Sequence, residues 1–346
     1  MEEEVVRRRR WLTREQFLDY LGATNLIPGP NSTELAIHIG HARAGWPGLL
    51  VAGASFILPA AVVVTAIAWA YVKFGALPAT AGVLYGVKPV VIAVIVQALW
   101  GLGRTALKTR GLVVLGAVAT AAAAAGVHEL AILALAGATM AVARGIHENS
   151  RVAPAAVGMA GAAVGGAAAA ATPFGLWPLF AVFLKIGAVL FGSGYVLLAF
   201  LRADLVERLG WLTEHQLLDA VAVGQITPGP VFTTATFIGY LLGRTPGAAV
   251  ATIGIFLPAF VFVALSGPLV PRLRRSPTAG AVLDGVNVAS LALMAVVTWE
   301  LARAALIDPL TVVMAALVVL LLVHLRVNSA WLVLGGAAIG LASRHG

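Results

Sequence analysis

Residues 11–30 read WLTREQFLDYLGATNLIPGP and residues 211–230 read WLTEHQLLDAVAVGQITPGP. The two stretches keep register without a gap, so the chain is an internal duplication. Each ends on Pro-Gly-Pro: Pro28, Gly29 and Pro30 in the first copy, Pro228, Gly229 and Pro230 in the second. Proline lacks an N–H and disfavours the α conformation in the residue before it, so a helix must break at this point. A new helix can start at once, because proline suits the first helical turn.

Working outward from the breaks, the second half-helices begin with Asn31, Ser32 and Thr33 and with Val231, Phe232, Thr233 and Thr234. At membrane depth, broken backbone is tolerated only where protein or a water-filled cavity covers it, and paired broken helices point to a transporter's binding site. Free helix-start N–H groups, a positive dipole end and adjacent hydroxyls suit an anion. The plainer reading is that Asn, Ser and Thr only cap the helices. Two copies at matched positions favour the anion.

The 346 residues are 60% hydrophobic and 11% charged, and mean hydropathy is +0.95. That composition describes a polytopic membrane protein with no polar stretch long enough for a soluble catalytic domain. The net charge of +8 would suggest nucleic acid in a soluble chain. Here most Lys and Arg fall in short loops between apolar runs and read as topology signals, so no nucleic-acid partner is expected. There is no cysteine, hence no disulfide or thiolate site.

Apolar runs cover about 46–72, 81–103, 111–126, 129–143 and 152–172, and runs long enough to span ~30 Å of hydrocarbon recur among them. The second copy gives 178–201, a broken segment at 213–243, and runs at about 247–270, 279–304, 309–325 and 328–343. Phe56-Ile57-Leu58-Pro59-Ala60 matches Ile255-Phe256-Leu257-Pro258-Ala259, Gly86 matches Gly285, and Trp100 and Arg104 match Trp299 and Arg303. The helix at 178–201 has no counterpart ahead of the first copy, so either the native frame starts upstream or the repeats are unequal. Arg7 to Arg10 invite a twin-arginine reading, but no apolar region and cleavage site follow.

The basic side of the membrane switches between copies, which favours an inverted pair. Inversion is expected if each broken segment crosses once and the 152–172 run is an unpaired linker helix. Re-entrant hairpins at Pro-Gly-Pro would instead make the halves parallel. The expected fold class is therefore all-α: a polytopic membrane protein of two homologous, inverted repeats with helices broken at Pro-Gly-Pro. Its parts are a first repeat at 1–144 lacking its first helix, a linker transmembrane helix at 145–175, and a second repeat at 176–346.

Lys88, in Tyr85-Gly86-Val87-Lys88-Pro89, and Lys185, ahead of Gly192-Ser193-Gly194, lie inside apolar runs. Buried ammonium groups usually face a cavity or a partner, although both stems are long enough to snorkel. Asn287 stands opposite Lys88 in the other repeat. Glu34, Asp19, Asp219, Asp284 and Glu300 are the acidic candidates for proton coupling. Asp19 and Asp219 read as interfacial. Glu34 begins the post-break helix, and His38 lies one turn on, on the same face. Glu34, His38 and His41 lack a second ligand cluster, so no metal is expected. No HExxH and no nucleotide loop occur, so uphill work must come from an ion gradient.

The combination of WLT(R/E)xQ(F/L)LD, the (I/T)PGP break, FILPA and FLPA, and FLKIGAVLFGSG before the second unit resembles the chromate ion transporter family over nearly the whole chain. The resemblance implies two fused, antiparallel domains in a bacterial or archaeal inner membrane, exporting chromate with proton or sulfate coupling. It implies substrate contact at Pro28, Gly29, Pro30, Asn31, Ser32 and Thr33, at Pro228, Gly229, Pro230 and Thr233, and at Lys185, Gly192 and Gly194. Three departures stand out. The family's Phe-Gly-Gly helix is absent ahead of the first repeat, glutamine is common in the family where Glu34 stands, and Val231 and Phe232 replace a polar pair.

The expected function is secondary transport of a tetrahedral dianion at a central site. That site draws on helix-start N–H groups, Ser32, Thr33, Ser193, Thr233, Thr234 and the lysines Lys88 and Lys185, with Glu34 and His38 exchanging protons. No cofactor is expected. The partners are chromate or a related oxyanion and the lipid bilayer, with a homodimer as an allowed assembly. Transport of another anion, such as sulfate or an organic acid, and a membrane-embedded enzyme are the alternatives.

Overall fold

The computed structural model describes residues 1–75, 78–148, 173–191, 194–227, 229–274, 276–325 and 327–343. The 152–172 run, most of the 145–175 linker, and Gly192, Ser193 and Pro228 lie outside the described residues. Among the described residues every regular element is helical. The first half runs α1 (Arg14–Thr24), α2 (Asn31–Phe74), α3 (Pro78–Ala106), α4 (Arg110–Ala124) and α5 (Glu129–Glu148). The second runs α6 (Leu176–Val189), α7 (Leu197–Leu201), α8 (Glu214–Ile226), α9 (Thr234–Arg274), α10 (Pro277–Ala305), α11 (Pro309–His324) and α12 (Ser329–Ser343). Four segments, Asn31–Phe74, Ala81–Ala106, Val231–Ser266 and Pro277–Ala305, are long and apolar enough to cross a bilayer. Trp100 and Trp299, the matched tryptophans, are 67% and 66% exposed, as suits side chains facing lipid or its interface.

The repeats fold alike because their local signals are alike. Thr13 and Thr213 each cap a helix through a reciprocal bond with the glutamine three residues on, Gln16 and Gln216. α2 and α9 each bend sharply partway. Ala44 and Gly45 carry φ −144° and +58°, and Gly243 and Arg244 carry φ −133° and +55°. Each bend folds two helical arms against one another. A Cβ at Gly40 would strike the Gly48 carbonyl, and a Cβ at Gly239 would strike that of Gly247. Arg244 thus holds a backbone shape that glycine holds in the first copy, at a cost of order 1–3 kcal/mol. Arg244→Gly is expected to raise stability by about 1 kcal/mol, read as a later unfolding transition in detergent.

Of the two arrangements open to a broken segment, a single crossing or a re-entrant hairpin, the first copy adopts the hairpin. A straight run from residue 20 to residue 38 would separate them by ~27 Å at 1.5 Å per residue. Instead Tyr20 stacks on His38 with ring centroids 5.4 Å apart, and the Arg43 guanidinium lies 5.1 Å from the Trp11 ring. α1 and the first arm of α2 therefore form a hairpin that returns to its starting side. The reversal occurs at Gly29, whose φ of +137° is open to glycine and strained for other residues. The expected continuous helix at 178–201 is also interrupted: α6 stops at Val189, Leu190 is extended, and helix resumes at Gly194. The returning segment pairs back on α6, with Trp211 against Phe174 and Asp204 against Lys185.

The halves meet through contacts that exchange between repeats. The Gly29 tip lies against Ala259 and the Gly229 tip against Ala60, and Ala60 and Ala259 are themselves matched positions. α2 packs on α9 at this centre. α6 covers α9 further, whereas α2 has no equivalent cover among the described residues and leaves Leu50, Val51, Leu58 and Val62 exposed. Around the centre, α10 packs on α5, α4 and α3, and α3 on α12 and α11. The α3–α12 crossing is backbone on backbone, because a Cβ at Gly86 would strike the Gly336 carbonyl and one at Gly340 that of Gly82. Gly86→Leu is expected to cost at least about 3 kcal/mol, seen as loss of monodisperse protein in detergent.

Candidate functional site

Two asparagines tie the limbs of the first hairpin. Asn25 Nδ2 donates to the Leu21 carbonyl at 3.0 Å, and Asn31 Nδ2 donates to Asn25 Oδ1 at 2.9 Å. The tip is anchored across the repeats, the Gly29 N–H donating to the Leu190 carbonyl at 2.8 Å. That carbonyl is freed by the interruption after α6. At the start of α2 the N–H groups of Thr33 and Glu34 both go to the Pro30 carbonyl, which leaves those of Asn31 and Ser32 as helix-start donors. The second copy repeats this: Thr233 gives both its N–H and its hydroxyl to the Pro230 carbonyl, each at 2.9 Å.

Between these starts lies a cavity of about 660 Å³. Pro30, Asn31 and Ser32 line it from one repeat, and Pro230, Val231 and Phe232 from the other. Gly194 and Val196 close it from the interrupted helix, and Asn287 and Ser290 from α10. At ~30 Å³ per water it has room for a tetrahedral oxyanion and part of its hydration shell. Lys108 and Asp284 stand at its edge, 3.5 Å apart and with side chains 62% and 42% exposed. Two positive helix starts and a lysine on one hollow favour an anion there.

The structure distributes the expected site residues unevenly. Pro30, Asn31, Ser32, Gly194 and Pro230 line the cavity, while Gly29 and Gly229 form the tips behind it. Thr33, Thr233 and Thr234 are buried away from it. Glu34 is fully buried under the tip, its Oε1 the nearest atom to a Cβ placed on Gly29, and neither carboxylate oxygen has a hydrogen-bond partner among the described residues. His38 is stacked on Tyr20, one turn further from the cavity. Pro228, Gly192 and Ser193 lie outside the described residues.

Neither expected lysine reaches the cavity. Lys88 Nζ sits 3.1 Å from Asp219 Oδ1, whose side chain is 5% exposed, and the Tyr71 hydroxyl donates to Asp219 Oδ2 at 2.8 Å. Asp219 is thus a buried counter-ion and not the interfacial carboxylate expected, because α8 packs on α3. Asp19, its match, is exposed. Lys185 bonds Asp204 at 2.6 Å, with Arg208 on the same carboxylate and Glu129 at 3.8 Å. The cavity's own lysine, Lys108, sits in the short loop between α3 and α4. Its signal was weak, since only its position at the end of α3 sets it beside Asp284.

The chromate transporter family model matches residues 1–142 and 177–341. The chromate transport protein of Cupriavidus metallidurans is 32% identical over 99% of this chain and 87% of its own length. That of Pseudomonas aeruginosa is 32% identical over 88% of this chain and 75% of its own. An uncharacterized transporter of Methanocaldococcus jannaschii is 23% identical over 86% and 77%. No solved structure matches. Two family matches in one chain, on the two halves that share the broken hairpin, agree with the duplication, and the chain belongs to the chromate transporter family.

Proposed function

We propose that the protein is a secondary transporter that exports chromate across the bacterial or archaeal inner membrane, with protons or sulfate as the coupling ion. One observation carries this function: the cavity is lined by the post-break starts of both repeats at once. A dianion there meets the N–H groups of Asn31, Ser32, Val231 and Phe232, the Ser32 and Ser290 hydroxyls and the Asn287 amide, with Lys108 at the entry. Relatives named as chromate transport proteins supply the substrate class.

The repeats are inverted in this proposal. Tyr71, near the far end of α2, packs on Phe237 and Asp219 of the second hairpin, whereas the bend of α2 lies with Trp11 at the open end of the first. The two hairpins then open to opposite faces. Re-entrant hairpins are compatible with inversion, and not with parallel halves alone, when the chain crosses an odd number of times between the bend of α2 and the second hairpin. Glu34, buried between the tip and its own helix, is the proton-exchanging group.

Counterflow in proteoliposomes preloaded with unlabelled chromate is the direct test. Labelled chromate should accumulate transiently, and excess sulfate or molybdate should reveal the competing anions. No counterflow with chromate, but counterflow with another anion, would move the substrate assignment. No counterflow with any tetrahedral anion would overturn it.

A further inference from the structure

We propose that the molecule holds a second, closed oxyanion cavity, the repeat-related twin of the open one, in which Lys88 is a hidden ligand and Asp219 takes the anion's place while the cavity is shut. The proposal rests on the transport function above. In the register that pairs Gly86 with Gly285 and Arg104 with Arg303, the cavity residues Asp284, Asn287, Ser290 and Leu291 correspond to Tyr85, Lys88, Val91 and Ile92. The first set faces an open hollow. The second is shut: Val91 and Ile92 are 0% and 3% exposed, and Lys88 is paired with Asp219.

The outer contacts follow the same exchange. At the open mouth Asp284 of α10 meets Lys108, just past the end of α3, and both are exposed. On the closed side Tyr85 of α3 donates its hydroxyl at 2.6 Å to Asp308, just past the end of α10. Asp308 lies outside the membrane-spanning segments, and the Tyr85 bond together with the helix start at Thr311 holds its carboxyl below the usual carboxylate range. This contact is therefore fully present above that range and is lost only as pH falls below it.

The lysine explains why occupancy and opening are linked. Opening the twin cavity draws α3 away from α8 and parts Lys88 from Asp219. A buried ammonium left without its carboxylate is costly, so the empty cavity stays closed. An entering dianion offers Lys88 a replacement counter-ion, which makes the open form accessible when loaded. Asn287, being neutral, places no such condition on the cavity that is open here.

The chain contains no cysteine, so introduced thiols report without background. Thr105→Cys at the open cavity and Ile92→Cys at the closed one are placed in separate chains, reconstituted, and labelled with an impermeant maleimide from either face. Minor states of such equilibria are populated at about 0.1–10%, so Ile92→Cys should label at least about tenfold more slowly than Thr105→Cys, and from the other face. Adding Asp219→Asn should raise the Ile92→Cys rate at least about tenfold, and the freed lysine should tighten chromate binding at least about threefold. Should Asp219→Asn fail to fold, the neutral pair Lys88→Gln with Asp219→Asn removes the lock without a lone charge and carries the same labelling expectation.

Labelling of both thiols from one face, or an Ile92→Cys rate indifferent to loss of Asp219, would overturn the twin cavity. Chromate binding no tighter in Asp219→Asn would overturn the counter-ion exchange. The labelling uses no anion, so its failure is distinct from a failure of the chromate assignment, which counterflow decides.

Discussion

Lys88→Ala should lower the unfolding free energy by about 3–5 kcal/mol. The cause is the carboxylate it leaves behind. Asp219 is 4% exposed and among the described residues would keep only the Tyr71 hydroxyl as a partner. Removing both charges together should be far milder, because an apolar pair of similar volume is often neutral or stabilising where a buried ion pair stood. Lys88→Met with Asp219→Leu should therefore recover most of the folded protein, read by thermal unfolding in detergent, and still fail to transport. Equal instability of the single and double variants would mean that packing, and not the ion pair, sets the cost.

Gly29→Ala should reduce chromate counterflow at least about tenfold and lower stability by about 2–6 kcal/mol. Two effects add. A non-glycine residue at φ +137° costs about 1–3 kcal/mol, and a Cβ forced against the Glu34 carboxyl costs about 1–3 kcal/mol more. Gly229→Ala isolates the overlap, because its Cβ would strike the Ala60 methyl, which has no side-chain torsion to relieve it. Loss of counterflow in Gly29→Ala with unchanged stability would show that the tip matters through Glu34 alone. Similar losses at both glycines would show that the overlap dominates the strain.

Much of the fold was legible in the sequence because the physics that fixes it is local. Prolines at 28 and 30 end one helix and begin the next whatever surrounds them, and the Thr13 and Thr213 caps set the same helix starts twice. The matched Trp100 and Trp299 located equivalent helices before any contact was known. What escaped were features decided by which helices meet. A break reads the same whether the chain continues or folds back, and only the stacking of Tyr20 on His38 separates the two. Lys88 and Lys185 stand out in the sequence as charges inside apolar runs, but their counter-ions Asp219 and Asp204 lie 131 and 19 residues along the chain. Lys108 is a loop charge in the structure as well, and it stands at the cavity because α3 ends there.

Equilibrium binding of labelled chromate to the purified, reconstituted protein tests the central claim that the two hairpin starts form one anion site. Ser32 is exposed in the cavity, so Ser32→Phe fills it with little effect on folding. Binding should be saturable in the parent and weakened at least about tenfold in Ser32→Phe, while Lys185→Gln, remote from the cavity, binds as the parent does. Parent-like binding in folded Ser32→Phe, or binding lost only in Lys185→Gln, would contradict the site.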